Sequence, residues 1–331
     1  MIVFEGTAAA TVRAGEFEVA SRRIAARAFP YAGEAGTSRF RFDPVERRFL
    51  SRAAEGTVVA GPHEPDAWRT ALLRGPAGPV LVGPCSKGEK IRGSYLAAAE
   101  GARMSGRAVY LLDPEPAALP EEPGAAFTAL FVWFPGQEKP DATLAAALER
   151  GIPSGWILPL VAGWTAAPEA IEEAVAAAAA GGARFLAPVP LADDGQVRRV
   201  AVEAACAASP EAADGIFERV HHGGSADQMR EAQERLREAC ERARMRPVPI
   251  RPVGLREPAN NAAAASRLEE KALASSADEH RAALLHAAAR WIDESGRDLA
   301  PIAREGNFGK VFPFGADIAR EAEEALVAGM E

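Results

Sequence analysis

From residue 78 onward the chain alternates short apolar runs with stretches of helical periodicity. PVLVGP, RAVYLLD, AAFTALFVWF, SGWILPLVAG, ARFLAPVPL and RPVPIRPVG are the apolar runs. Between them lie SYLAAAEGARMSG, DATLAAALERG, PEAIEEAVAAAAAGG, a helical stretch from Gln196 to about Ser209, and SADQMREAQERLREACERARM. The apolar runs do not alternate with polar residues, which is the pattern of strands buried on both faces of a parallel sheet. Gly106, Gly151 and Gly182 stand where helix-ending glycines belong. This grammar predicts an α/β fold, a partial (β/α)6 TIM-like barrel over residues 76–256. A doubly wound sheet is the other arrangement that such units fit.

The flanks read differently. Within residues 1–75, GEFEVAS and SRFRFDPVERRFLSR alternate as edge strands or hairpins do. Phe40 and Phe42 would share one face of a strand, and Phe49 would face them from a second strand beyond the Asp43-Pro44 turn. A small β-rich N-terminal cap is expected there. Residues 257–331 are predicted to form a helical C-terminal extension, in which Phe308 of EGNFGKV packs as an apolar plug.

Composition narrows the function classes. Hydrophobic residues make up 48% of the 331 positions and charged residues 25%, as in ordinary globular proteins. The net charge of −8 argues against a general nucleic-acid or anionic-membrane binder. No apolar run reaches the roughly 20 residues of a membrane span. Cys85, Cys206 and Cys240 are far apart and form no CxxC pair, so a reducing cytoplasm is the expected setting. MIVFEGTAAATV has no basic leader region, and no secretory signal is expected.

Ligand loops of such folds lie at the carboxyl ends of the strands. Here those are segments 83–94, 113–120, 135–140, 162–168, 190–196 and 251–260. The first contains GPCSKGEKIRGSY, whose Lys87, Lys90 and Arg92 beside a helix start suit an anion such as phosphate or carboxylate. It lacks the Walker A spacing. A solvated turn explains the same charges. Glu115, between two prolines in LLDPEPAALP, falls just past the second strand, where a carboxylate accepts hydrogen bonds from an amine or a ribose. Trp164 in the GWT turn stacks on a ligand or, by default, packs. His63, His221, His222, His280 and His286 make no HExxH pattern, and no metal site is expected. Cys206 and Cys240 are expected to be small core residues.

The order of elements resembles the radical S-adenosylmethionine superfamily. In that family the first strand of a partial barrel ends in a CxxxCxxC loop that holds a [4Fe–4S] cluster. The second strand ends in a GGEP-like turn near the methionine end of the cofactor. Here VLVGP leads to Cys85, and LLDPEPAALP is similar to that turn, with Asp113 and Pro114 in place of the glycines and Glu115-Pro116 kept. The resemblance covers about residues 78–255. Glu89 and Arg92 stand where the second and third cysteines belong, and a cluster normally held by thiolates is not retained by Cys85 alone.

The resemblance therefore implies a radical-SAM-like protein without its cluster. It would bind a ligand or scaffold a modification pathway, with S-adenosylmethionine as an open candidate cofactor and Cys85, Lys87, Glu89, Lys90, Arg92, Asp113, Glu115 and Trp164 as site residues. Its expected partner is a small anionic ligand or another protein, with no nucleic acid and no membrane. Two other readings stand beside it. One is a cluster-independent barrel enzyme acting on an anionic small molecule through the 83–94 loop. The other is an aldolase- or isomerase-like metabolic barrel, whose aldolase form is disfavoured because the six strand segments contain no lysine.

Overall fold

The alternation seen from residue 78 onward becomes part of a sheet whose strands follow chain order. The structure, a computed structural model, describes residues 24, 40–43, 48–53, 57–60, 80–82, 89–104, 106–121, 125–135, 139–191, 226–254, 258–275, 277–293, 295 and 297–328. The predicted helical stretch 196–209 lies outside them. Strands β1 (Phe40–Asp43), β2 (Arg48–Ala53) and β3 (Thr57–Ala60) form an antiparallel meander. Phe42 stands opposite Phe49, as their spacing predicts. β3 then pairs in parallel with β4 (Val80–Val82). β5 (Val109–Leu112), β6 (Phe127–Val132), β7 (Ser154–Leu160) and β8 (Phe185–Pro190) continue the parallel series. The eight-stranded order β1 to β8 contains no reversal. A doubly wound sheet would reverse at its switch point.

All the helices described between β4 and the C-terminal region pack on one face. α1 (Glu89–Met104), α2 (Asp141–Glu149), α3 (Pro168–Ala180) and α4 (Ala226–Arg242) bury Tyr95, Leu144, Ile171 and Leu236 against Val109, Leu111, Trp156 and Leu158. The intervening strand residues point the other way. Tyr110, Leu112, Leu130, Ile157 and Val189 form a second apolar cluster, which Ile24 and Ile250 join. Both faces are thus buried, which is why these strands read as continuous apolar runs. Gly106, Gly151 and Gly182 adopt positive φ at the ends of α1, α2 and α3, as expected of residues that close helices.

RPVPIRPVG, the expected sixth strand, is not a strand. Arg246 makes an isolated parallel bridge with Phe185, accepting from the Leu186 N–H at 3.0 Å. Pro247, Pro249 and Pro252 then remove the donors that a ladder needs. The segment becomes a strap across the amino ends of the sheet. The Val253 N–H donates to the Ala125 carbonyl at 2.7 Å, ahead of β6, and Gly254 presses on the backbone of residues 106–108, ahead of β5. The outer edge of β8 is blocked as well. The Leu186 N–H points outward to Arg246 while the Leu191 N–H points inward to the Leu160 carbonyl. Pro188 and Pro190 share the parity of Leu186, so that edge offers no donor beyond it. The further parallel strand comes instead from the N-terminal region, as β3.

The C-terminal helices have their own core. α5 (Ala259–Ala274), α6 (Glu279–Asp293), α7 (Ala300–Arg304), α8 (Phe308–Val311) and α9 (Ala316–Ala328) enclose Leu268, Leu285, Ile292, Phe308 and Leu326. Phe308 is fully buried, as the sequence predicts. Buried Asn261 accepts from the Leu299 N–H and donates to the carbonyls of Ile292, Ser295 and Arg297, fastening the turn between α6 and α7. Ion pairs tie the strap to this bundle: Arg246 with Glu270 at 2.5 Å, and buried Arg251 with Asp293 at 2.6 Å.

A methyl group on Gly254 would lie 2.4 Å from the Gly106 carbonyl oxygen and 2.7 Å from the Ala108 nitrogen. Backbone cannot rotate away as a side chain does, so Gly254→Ala is expected to cost about 2–3 kcal/mol through overpacking. Urea unfolding monitored by far-UV circular dichroism checks this.

Candidate functional site

The carboxyl ends of β5, β6 and β7 are held in place by side chains as well as by the sheet ladder. Asp113 follows β5 directly. Its N–H donates to the Leu130 carbonyl at 2.8 Å, and its Oδ1 accepts from the Val132 N–H at 3.1 Å. One residue thus closes the end of β5 onto β6 with both backbone and side chain. To do so it takes φ of 42°, a left-handed conformation that aspartate adopts more readily than most residues. Burial pushes its carboxyl up from the ordinary 3.8 to about 6, and the hydrogen bond from Val132 only partly opposes this.

The chain beyond Asp113 is stiff. Pro114 is buried, and half-buried Glu115 opens a short 3-10 turn (Pro116–Ala118) by accepting from the Ala118 N–H at 2.8 Å. The prolines on either side of Glu115 fix φ and limit where its carboxylate can go.

At the end of β7 the turn is organised by Thr165. This fully buried hydroxyl accepts from the Val161 N–H at 2.7 Å and donates to the Pro159 carbonyl. The same turn presents Trp164, whose ring stacks on Phe134 with centroids 5.6 Å apart and planes 9° apart. Phe134 is fully buried just beyond β6, two residues after the Val132 amide that Asp113 holds. One face of the Trp164 indole is therefore committed to packing, as its default reading expects. Such stacking contributes about 0.5–1.5 kcal/mol beyond area burial.

The structure thus places Asp113 and Trp164 at the ends of β5 and β7, on either side of β6, linked through Val132 and Phe134, with Glu115 two residues beyond Asp113. Cys85 and Lys87 lie outside the described residues. Glu89, Lys90 and Arg92 lie in the first turns of α1, which begins at Glu89, earlier than the SYLAAAEGARMSG segment predicts. Phe134 and Thr165 escaped the sequence reading. Phe134 sits in a run of apolar residues with nothing to distinguish it, and Thr165 had only its place in the GWT turn. Cys240 is buried with its thiol near the Leu186 carbonyl, and burial pushes its ionisation up to about 12, as suits a core residue.

Among the described residues no group of three or more histidine, cysteine, aspartate or glutamate side chains could hold a metal ion, and no helix is long and apolar enough to cross a membrane. No family model matches the chain, and no curated protein or solved structure matches it.

Asp113 makes stability depend on pH. Its value in the folded protein lies above the ordinary one, so ionisation favours the unfolded chain. Its contribution is complete below about pH 4 and is lost as pH rises through about 6, a fall of about 3 kcal/mol. Asp113→Asn keeps an acceptor for Val132 and suits left-handed backbone. The variant is expected to be more stable than the parent at pH 8, to show no such gain at pH 4, and to lack this part of the fall, as read by urea unfolding at both pH values.

Proposed function

We propose that the chain is a radical-SAM-like protein without an iron–sulfur cluster, acting as a ligand-binding or scaffold subunit of a modification pathway. The observation that carries this reading is the Asp113-Pro114-Glu115-Pro116 turn. It follows the parallel strand after β4, and the position that the family's motif fills with glycine has left-handed backbone here. The uninterrupted strand order and the placement of α1 to α4 on one face also suit a partial (β/α) barrel. The barrel belongs to this proposal.

The residues present do not fit a cluster. Of the family's cysteine positions only Cys85 remains, and Arg92 stays protonated and cannot ligate. No electron-transfer step is assigned to the chain. What the strand ends offer is recognition. Glu115 on a proline-stiffened turn can accept hydrogen bonds from an amine or a ribose, and the exposed part of Trp164 can cover an apolar or aromatic group. Lys87, Lys90 and Arg92 would supply charge for a phosphate or carboxylate, and S-adenosylmethionine or a small anion is the ligand this set suits. The cysteine usage supports a cytoplasmic setting for this reading.

One observation favours a second reading, a cluster-independent enzyme acting on an anionic small molecule. A carboxyl group held near pKa 6 is poised to exchange a proton near neutral pH, and Asp113 has that property.

Anaerobic expression followed by iron and sulfide analysis tests the cluster-free reading. Colourless protein with no bound iron is expected, and brown protein with about four irons per chain contradicts it. A thermal-shift series with S-adenosylmethionine, S-adenosylhomocysteine and inorganic phosphate is expected to show stabilisation by at least one of them. Glu115→Ala is expected to weaken the response to either adenosyl compound, and full retention removes Glu115 from the site.

A further inference from the structure

The helical bundle contains a buried charge pair that the strand-end site does not use. Glu269 on α5 is 3% exposed at its side chain, and its Oε2 lies 2.5 Å from Nδ1 of His286 on α6. The other carboxylate oxygen, Oε1, is buried without a hydrogen-bond partner. His286 is 44% exposed, so its ring lies between the buried carboxylate and water. A buried carboxylate with one oxygen unsatisfied is costly unless a positive partner offsets its charge. Here that partner is a histidine, the side chain whose ordinary ionisation lies near neutrality.

The surroundings isolate this pair. α9 presents Glu321 and Glu324 to Lys271, and Glu321 also to Arg281. The strap presents Arg246 to Glu270 and Arg251 to Asp293, and α4 presents Arg230 to Glu279. The acids in these pairs are matched by arginine or lysine. Among the described residues, Glu269 is the acid matched by a histidine. Asp293 disfavours a second negative charge at Glu269.

We propose that Glu269 and His286 form a proton-operated clasp on the α5–α6 hairpin, which loosens when His286 loses its proton and thereby loosens the strap beneath the sheet. The hairpin is the element to which the strap is tied, through Glu270 on α5 and Asp293 on α6. Both titrations act in the same direction. Burial opposes a charge on His286, but the Glu269 carboxylate outweighs it by charge and hydrogen bond, and the net shift is upward from 6.5. Burial raises Glu269 above 4.5 by more than His286 lowers it. Groups raised on folding stabilise the fold below their ordinary values and lose that contribution as pH rises through the folded ones. The clasp is closed in mildly acidic solution and opens as pH rises beyond neutrality.

Hydrogen–deuterium exchange of the full chain at pH 6 and 8.5, corrected for intrinsic exchange rates, tests this. Protection of peptides within 246–254, 259–274 and 279–293 is expected to fall several-fold in the parent at pH 8.5. In Glu269→Gln, which keeps shape and hydrogen bonding but carries no charge, it is expected to stay level. Peptides of β6 report whether the sheet is intact in both proteins. Equal losses in parent and variant, or no loss in the parent, overturn the clasp. Should the variant not fold, the titration of His286 in the parent by nuclear magnetic resonance decides: a midpoint above 6.5 supports the clasp, and one at or below 6.5 overturns it.

Discussion

A parallel sheet has to be buried on both faces, and the remainder of this structure is arranged around that requirement. α1 to α4 cover one face. The other holds Tyr110, Leu112, Leu130, Phe134 and Ile157 at 0–1% exposure. With most described side chains of β5 to β8 committed to one apolar layer or the other, polar chemistry is pushed to the strand ends. Asp113, Glu115 and Trp164 all lie there, at the carboxyl ends. The amino ends are occupied by the strap, which closes over residues 106–108 and 125 and carries its arginines to the bundle.

The two ends of the sheet are therefore built differently. Among the described residues, the turns after β5 and β7 are each fixed by a side chain: Asp113 bonds across to β6, and Thr165 closes the turn after β7. Such turns hold side chains in fixed directions, as a recognition site needs. The amino end is a junction. Its buried Arg251–Asp293 pair joins strap to bundle, where removing one partner would leave a buried charge uncompensated.

Much of the architecture was legible in the sequence because two-faced burial leaves a plain mark. The runs around β4 to β8 are apolar without alternation, and the glycines ending α1, α2 and α3 announce themselves. RPVPIRPVG reads as a strand because its valines and isoleucine match a buried one, while the prolines among them veto the ladder. The start of α1 is hidden, since the charged residues from Glu89 to Arg92 look like loop in isolation. At the site, Glu115 and Asp113 were visible as a DPEP turn. The left-handed backbone of Asp113 and the stacking of Trp164 on Phe134 depend on neighbouring strands and leave no local signal. The Glu269–His286 pair is separated by 17 residues across a helical hairpin, and neither belongs to a motif.

In the proposed reading, the carboxyl ends of β5 to β7 form a ligand site. The most direct measurement follows the tryptophan indole N–H signals by nuclear magnetic resonance while S-adenosylmethionine, and separately inorganic phosphate, is titrated into the full chain. The account predicts that the Trp164 signal moves saturably with at least one of them while Trp291, in the helical bundle, stays fixed. A Trp164 signal unmoved by either, or moving only together with Trp291, contradicts it.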